Sequence, residues 1–318
     1  MPIRLPSLRN GVMFAGLAGF ALMPVFTGVT GQPYILDITM RMMCLAIAAV
    51  SLNLILGFGG MISFGHAAFI GIGAYAVGIP AYYGEYSGFL QIPLAVGVSA
   101  LFALITGAIC LRTRGVYFIM ITLAFGQMVF FTFVSIEEYG GDDGLVIDTK
   151  SEFAGLIDIE EPLALYYLIL VCLVAALYLV KRIVASRFGR VIQGSKSNDD
   201  RMQAIGFNTF RYRLTCYVIA GALCGLAGAL LGNFTGFISP DMIDWTRSGE
   251  LIFMVVLGGA GSLFGPVLGT VVFLVLEELL SALTIYWQII FGPVLILVVL
   301  FGRGGIDGLL SRLANAQR

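Results

Sequence analysis

Charge is what this sequence has least of. Only 12% of its 318 residues are charged, about half the share in an ordinary soluble domain. With 59% hydrophobic residues and a mean hydropathy of +0.96, there is too little polar surface to coat a soluble globule. The reading is an all-α polytopic membrane protein. Histidine occurs once, at His66, which excludes a multi-histidine metal site. The five cysteines (Cys44, Cys110, Cys172, Cys216, Cys224) make no CxxC or other metal spacing and lie in or beside apolar runs. They read as buried thiols acting as small hydrophobes. A net charge of −1 leaves no basic surface for nucleic acid. Catalytic groupings are also missing, with no Ser-His-Asp arrangement and no paired carboxylates to argue from. Gly189 and Gly194 have phosphate-loop spacing, but Lys196 comes one residue late and no strand–helix context surrounds it. No enzyme and no cofactor held by this chain are expected.

Apolar length is plentiful. Runs able to cross a bilayer, which needs about 20 residues per helix, fall at about 11–29, 38–57, 61–80, 89–111, 116–136, 163–180, 214–235, 249–264, 267–285 and 286–302. The first is too long for a signal peptide and leads into further spans. Ten is the count; the short last three leave eight to ten as the range. The chain reads as one transmembrane domain, 1–318. The segment 137–162 carries nine acids and one base, Lys150, whereas 181–213 carries eight bases and two acids. The positive-inside rule places 181–213 in the cytoplasm and the acidic segment outside. Arg4, Arg9, Arg112, Arg114, Arg303 and Arg312 obey the same alternation, so both termini are expected in the cytoplasm.

Glycine, at 41 residues, is the clearest excess. It concentrates at two breaks, Gly57, Gly59, Gly60 and Gly65, then Gly258, Gly259, Gly261 and Gly265, each framed by Leu-Gly and Phe-Gly. Interrupted apolar segments at corresponding places in two halves point to a mid-membrane transport site; close packing of small residues is the plainer reading, and the two are compatible. Polar residues within spans are few. Asn53, Ser63, His66, Thr122 and Gln127 are the candidates to line a solute path, although His66 has the ordinary alternative of a buried side chain bonded to nearby backbone. Asp37 and Arg41, at i,i+4, are expected to pair. Glu277 and Glu278 are expected to reach water near an outer helix end. Without deep carboxylates, ion coupling is disfavoured and energy must come from elsewhere.

In the basic segment, Asn198 is an N-cap, Asp199 and Asp200 favour a helix start, and Gly206 suits the stop. The short helix between them presents Met202, Ala204 and Ile205, either to a groove in a partner or to the lipid surface.

Four stretches carry a resemblance: "SLNLILGFGGMISFGHAAFIGIGAY" (51–75), "RGVYFIMITLAFGQMVFF" (114–131), "SNDDRMQAIGFNTFRYRLTCYVIAGALCGLAGAL" (197–230) and "SPDMIDWTRSGELIFMVVLGGAGSLFGPVLGT" (239–270). In order, from about residue 40 to 303, the chain resembles the M-type permeases of branched-chain amino acid ABC importers; urea and amide importers have similar permeases. The resemblance implies a bacterial inner-membrane importer with a homologous H-type permease, two cytoplasmic ATPases that bind and hydrolyse ATP, and a periplasmic binding protein. It assigns the ATPase-contacting coupling segment to Asn198, Asp199, Asp200, Arg201, Met202, Ala204, Ile205 and Gly206. Relatives tend to be Glu-Ala-rich there, so the individual contacts of Asp199 to Met202 do not carry over. Trp245, Arg247, Ser248 and Glu250 match the stretch before the second break and are expected near the outer mouth, with interfacial anchoring as the alternative. The implied mechanism is alternating access, and a stand-alone channel or secondary carrier is the competing class.

Overall fold

The structure is a computed structural model describing residues 8–147, 149–153, 159–284, 286–301 and 304–308. Arg4, Asp148, Asp158, Arg303 and Arg312, which entered the charge argument, lie outside the described residues. Among the described residues there are twelve α-helices: α1 (Leu8–Thr30), α2 (Pro33–Asn53), α3 (His66–Tyr82), α4 (Gly88–Cys110), α5 (Val116–Ser135), α6 (Pro162–Ala185), α7 (Arg187–Ser197), α8 (Asp199–Ala204), α9 (Thr209–Thr235), α10 (Trp245–Gly258), α11 (Gly265–Leu283) and α12 (Trp287–Phe301). Each of the ten apolar runs is helical over most of its described residues. Six stretches are long and apolar enough to cross a membrane: α2 with its π-helical extension to Phe58, α4, α5, α6, α9 and α11. α3, α10 and α12 are shorter. Helices dominate because a bilayer offers backbone N–H and C=O groups no partners except their own.

α2 and α9 form the centre, with 78% and 61% of their apolar windows buried, whereas α5, at 17%, lies at the periphery. Close approach explains the glycines and small residues of α9. A side chain at Gly228 would strike the Ile70 carbonyl of α3, and one at Gly225 would strike Ser99 of α4.

Helix polarity follows from these contacts. α2 runs against α9, with Cys216 Sγ beside the Leu54 carbonyl at 3.8 Å. α3 runs with α9, as Cys224 Sγ meets the His66 carbonyl at 3.5 Å and Gly232 packs on Ala74. Cys224 lies about 22 Å along α9 at 1.5 Å per residue, so α3 begins at mid-depth rather than at a bundle end. This corrects the reading of 61–80 as one helix. Residues 59–65 rise non-helically from the end of α2 and only then does α3 start. α10 is its counterpart. After α9 the chain turns back through 236–244, and α10 starts level with α3, since Ser248 bonds Ala67 and Ile243 packs on Gly71. It then runs the opposite way and ends at the turn 259–264, from which α11 returns. The expected 249–264 run is therefore helical only to Gly258.

Two ends of the bundle differ. At the basic end lie α7, α8, both glycine breaks and residues 304–308, with a side chain at Gly259 directed at Gly304. At the other end the acidic segment is not free loop. Leu145–Val146 pairs antiparallel with Phe237–Ile238, and Ser151 donates to Asn233 Oδ1 through both its backbone N–H (2.9 Å) and its hydroxyl (2.8 Å).

Candidate functional site

Two helix N-termini meet inside the bundle, and each needs acceptors for N–H groups that no preceding turn satisfies. Ser248 Oγ of α10 accepts the Ala67 N–H at 2.9 Å. Thr122 Oγ1 of α5 accepts the Phe64 N–H at 3.3 Å while donating to the Ile119 carbonyl. At α10, Asp244 accepts from the Trp245 N–H at 2.8 Å and, at 3.4 Å, from Gln127 Nε2. A side chain at Gly65 would strike the Thr122 carbonyl, so glycine allows α5 to cross the first break in contact. Two half-helices of opposite direction starting together at mid-depth form the discontinuous arrangement that transporters use to aim backbone N–H groups at a solute.

The candidate path residues separate on this frame. Asn53, Ser63, His66 and Thr122 are buried, and Gln127 is half-buried. His66 Nε2 lies 2.9 Å from Ser51 Oγ, and its ring stands edge-on to Phe69. Its partner is thus a side chain, not the backbone. Asn53 braces the two glycine breaks: its Oδ1 accepts from Gly261 N–H at 2.9 Å and its Nδ2 donates to the Ser262 carbonyl at 2.8 Å. Its side chain holds backbone together.

Open space lies beside this meeting point. A cavity of about 700 Å³ is bounded by Arg41, Asp241, Asp244, Arg247, Glu250 and Glu277, with Phe253, Phe273, Trp287 and Phe291 as aromatic wall. A narrower pocket of about 140 Å³ shares Arg41, Arg247 and Glu250 and continues into Leu45, Ile70, Leu231 and Met254. Arg41 pairs with Glu277 at 3.4 Å, across the bundle, and not along the helix with Asp37. Arg247 pairs with Glu250 at 2.9 Å. Because Ser248 is level with Ala67, Arg247 and Glu250 sit at mid-depth and not at an outer mouth. A deep carboxylate is therefore present, but its neighbouring guanidinium compensates it.

Comparison with known proteins decides the family. The model of the branched-chain amino acid transport system permease component matches residues 34–299. The chain belongs to that permease family. It is 28% identical over 293 residues to the LivM high-affinity branched-chain amino acid permease of Salmonella typhimurium, covering 85% of this chain and 69% of that one. The LivH permease of Escherichia coli is 27% identical over 311 residues, covering 91% and 96%. A probable LivM permease of Methanocaldococcus jannaschii is 24% identical over 273 residues, covering 74% and 78%. Its likeness to LivM proteins makes the chain an M-type permease, in a family that also holds the H type. No solved structure matches the chain.

At the permease's basic end, α8 forms as its local sequence predicts. Asn198 Oδ1 accepts the Arg201 N–H at 2.9 Å. The C-terminus closes in a Schellman motif, with Phe207 N–H to the Met202 carbonyl (3.1 Å) and Gly206 N–H to that of Gln203 (2.9 Å). Gly206, at φ 98°, takes the left-handed position. The side chains divide differently from expectation. Met202 turns inward against Gly194 of α7, while Ile205 is 65% exposed. Asp199 is clamped by Arg114 at 2.5 Å and Arg213 at 3.3 Å. The glycine pair that resembled a phosphate loop lies within α7 or at its turns, as ordinary helix. From that helix, Lys196 Nζ donates to the Gly57 carbonyl at 2.7 Å, tying α7 to the first break. Sequence reasoning singled out Arg41, Arg247, Ser248, Glu250 and Glu277 but not the cavity that the charges share, and it gave Lys196 no role. The signal for the charges was available: Arg and Glu standing alone in apolar helices.

Proposed function

We propose that this permease is the transmembrane subunit of a bacterial ABC importer that moves branched-chain amino acids across the inner membrane by alternating access. The observation that carries the reading is the meeting of α3 and α10 at mid-depth, in a chain whose family and relatives carry branched-chain amino acid transport in their names. An H-type permease completes the pathway, two cytoplasmic ATPases bind and hydrolyse the ATP, and a periplasmic protein delivers the solute. The chain performs no chemistry and holds no cofactor. Its basic end, with α7, α8 and both termini, faces the cytoplasm, which agrees with the excess of Lys and Arg in 181–213. The 137–162 segment faces the periplasm.

In this reading α8 receives the movement of the ATPases. Its exposed Ala204 and Ile205 are the contact, and Lys196 passes displacement to the glycine breaks, which act as hinges. A bound ligand moves such an equilibrium only through different affinities for the two states. The test is uptake of labelled leucine into vesicles holding the chain, its H-type partner and the ATPases, with binding protein outside. ATP inside the ATPase-accessible compartment is expected to drive accumulation, and the chain alone is expected to transport nothing. Gradient-driven flux through the chain alone overturns the reading in favour of a carrier or channel.

A further inference from the structure

The four charges at the junction of the two cavities have no role in holding the half-helices, since Ser248, Thr122 and Asp244 satisfy the N–H groups there. Burying ionisable side chains within a bundle is expensive, and the ones found there serve a function as a rule. Their arrangement has a definite chemistry. Two guanidiniums, Arg41 and Arg247, face four carboxylates, Asp241, Asp244, Glu250 and Glu277; Arg41 pairs with Glu277 and Arg247 with Glu250, while Asp244 is engaged at the start of α10. An excess of carboxylates disfavours a lone anion, and guanidiniums standing beside carboxylates accommodate a molecule carrying one charge of each sign. Arg247 also stands in the first turn of α10, where the helix dipole adds positive potential. The pairs leave donors and acceptors to exchange: Arg41 is 41% exposed, Arg247 44% and Glu250 35%. Immediately beyond them, the 140 Å³ pocket is walled by Leu45, Ile70, Leu231 and Met254. That is a largely apolar space with a charged rim.

We propose that Arg41, Arg247, Glu250 and Glu277 form a binding site for a zwitterionic α-amino acid with a branched aliphatic side chain. The carboxylate takes a guanidinium, by bidentate hydrogen bonds where the planes match, and the ammonium takes a glutamate. The side chain enters the pocket between Ile70, Leu231 and Met254. The aromatic wall of Phe253, Phe273 and Trp287 closes the wider cavity over the head group. The inference rests on the solute class proposed above and adds where this chain holds it.

The full chain in lipid nanodiscs provides the test, with L-leucine as probe and tryptophan fluorescence as readout. The chain has two tryptophans; Trp287 lines the cavity and Trp245 lies two positions from Arg247. Leucine is expected to give a saturable change. Isoamylamine and 4-methylpentanoate, each lacking one charge, are expected to bind about tenfold or more weakly, as is glycine, which lacks the side chain. Arg247→Gln and Glu277→Gln are expected to weaken leucine by a similar factor. Because loss of one partner can also unsettle the fold, the double exchange Arg247→Glu with Glu250→Arg keeps the pair and the net charge. It is expected to stay monodisperse and lose leucine. Leu231→Phe, which fills the pocket, is expected to shift preference from leucine towards alanine.

Leucine affinity unchanged in the charge variants overturns the site. A parallel measurement separates this from failure of the functional reading: labelled leucine uptake by cells with and without the gene. Uptake that depends on the gene, with no leucine binding to the chain up to tens of millimolar, overturns the site and leaves the function standing. Uptake indifferent to the gene removes the functional reading, and the site with it.

Discussion

Asn53 and Gly261, 208 positions apart in sequence, are joined by a 2.9 Å hydrogen bond from the Gly261 N–H to the Asn53 side-chain oxygen. The amide nitrogen of the same side chain donates to the neighbouring Ser262 carbonyl. One buried amide therefore satisfies one donor and one acceptor of the turn at the second break. Gly57 lies in the same contact. A methyl group there would strike both Asn53 Oδ1 and the Gly261 nitrogen, so the first break approaches the second only because position 57 is glycine.

Asn53→Leu leaves both backbone groups buried without partners. The expected loss is about 2–4 kcal/mol, at 1–3 kcal/mol for each orphaned group less what the leucine regains by packing. A thermal melt in mild detergent reads it as a lower midpoint. Gly57→Ala is expected to destabilise as well, by steric displacement of the turn. A native midpoint in both variants contradicts the brace.

Lys196 reaches the same place from the opposite side, donating to the Gly57 carbonyl at 2.7 Å. Its stem also packs over Gly60, which has φ 69°. Lys196→Met keeps the stem and removes only the ammonium, so the fold is expected to survive with a loss of about 1–2 kcal/mol. If α7 passes ATPase movement to the glycine breaks, leucine accumulated per ATP hydrolysed in the reconstituted complex falls several-fold. An unchanged ratio rules out this route while leaving the hydrogen bond intact as a structural fact.

What could be read from the sequence was what depends on neighbours in the chain. Apolar length located ten of the twelve helices, and Asn198 with Gly206 delimited α8 within a residue, because caps are local chemistry. Depth was not legible. Residues 61–65 are as apolar as a helix, and nothing in their composition shows that they stay outside any helix until α3 begins. Partners distant in sequence were equally hidden. Arg41 has Asp37 one turn away, yet it bonds Glu277, because the fold brings α11 alongside α2. Met202 and Ile205 share an i,i+3 spacing that implies one common face. The packing of α8 on α7 puts Met202 against Gly194 and leaves Ile205 outward, so the exposed contact is narrower than the spacing indicated.

Ser248 is the single acceptor for the Ala67 N–H at the mid-bundle start of α3. It comes from another helix, 181 positions away, so it both caps α3 and fixes α10 against it. Ser248→Ala is expected to cost about 1–2 kcal/mol, the usual worth of a cap hydroxyl. Faster amide exchange in 66–69, seen by mass spectrometry of the intact chain in detergent, is the local signature. Ser248→Thr keeps the hydroxyl and is expected to restore much of the protection. Equal exchange in native and alanine forms denies the cap.

The clamp on α8 makes a contrast between adjacent acids. The Asp199 side chain is 9% exposed and held by Arg114 and Arg213, whereas that of Asp200 is 90% exposed and lies 3.8 Å from Arg114. An exposed pair contributes little, about 0–1 kcal/mol, so Asp200→Asn is expected to leave α8 in place. Asp199→Asn removes the charge on which two guanidiniums converge, and leaves Arg213, itself only 15% exposed, short of its partner. α8 is then expected to loosen, and limited trypsin digestion reports this as faster cleavage after Arg201. Because the contacts are ionic, raising salt is expected to narrow the difference between native chain and Asp199→Asn. Equal digestion rates for the two asparagine variants at low salt refute the clamp. Any effect of Ile205→Asp on ATPase binding is then read apart from it, since the Ile205 side chain is exposed and the clamp is made by Asp199, Arg114 and Arg213.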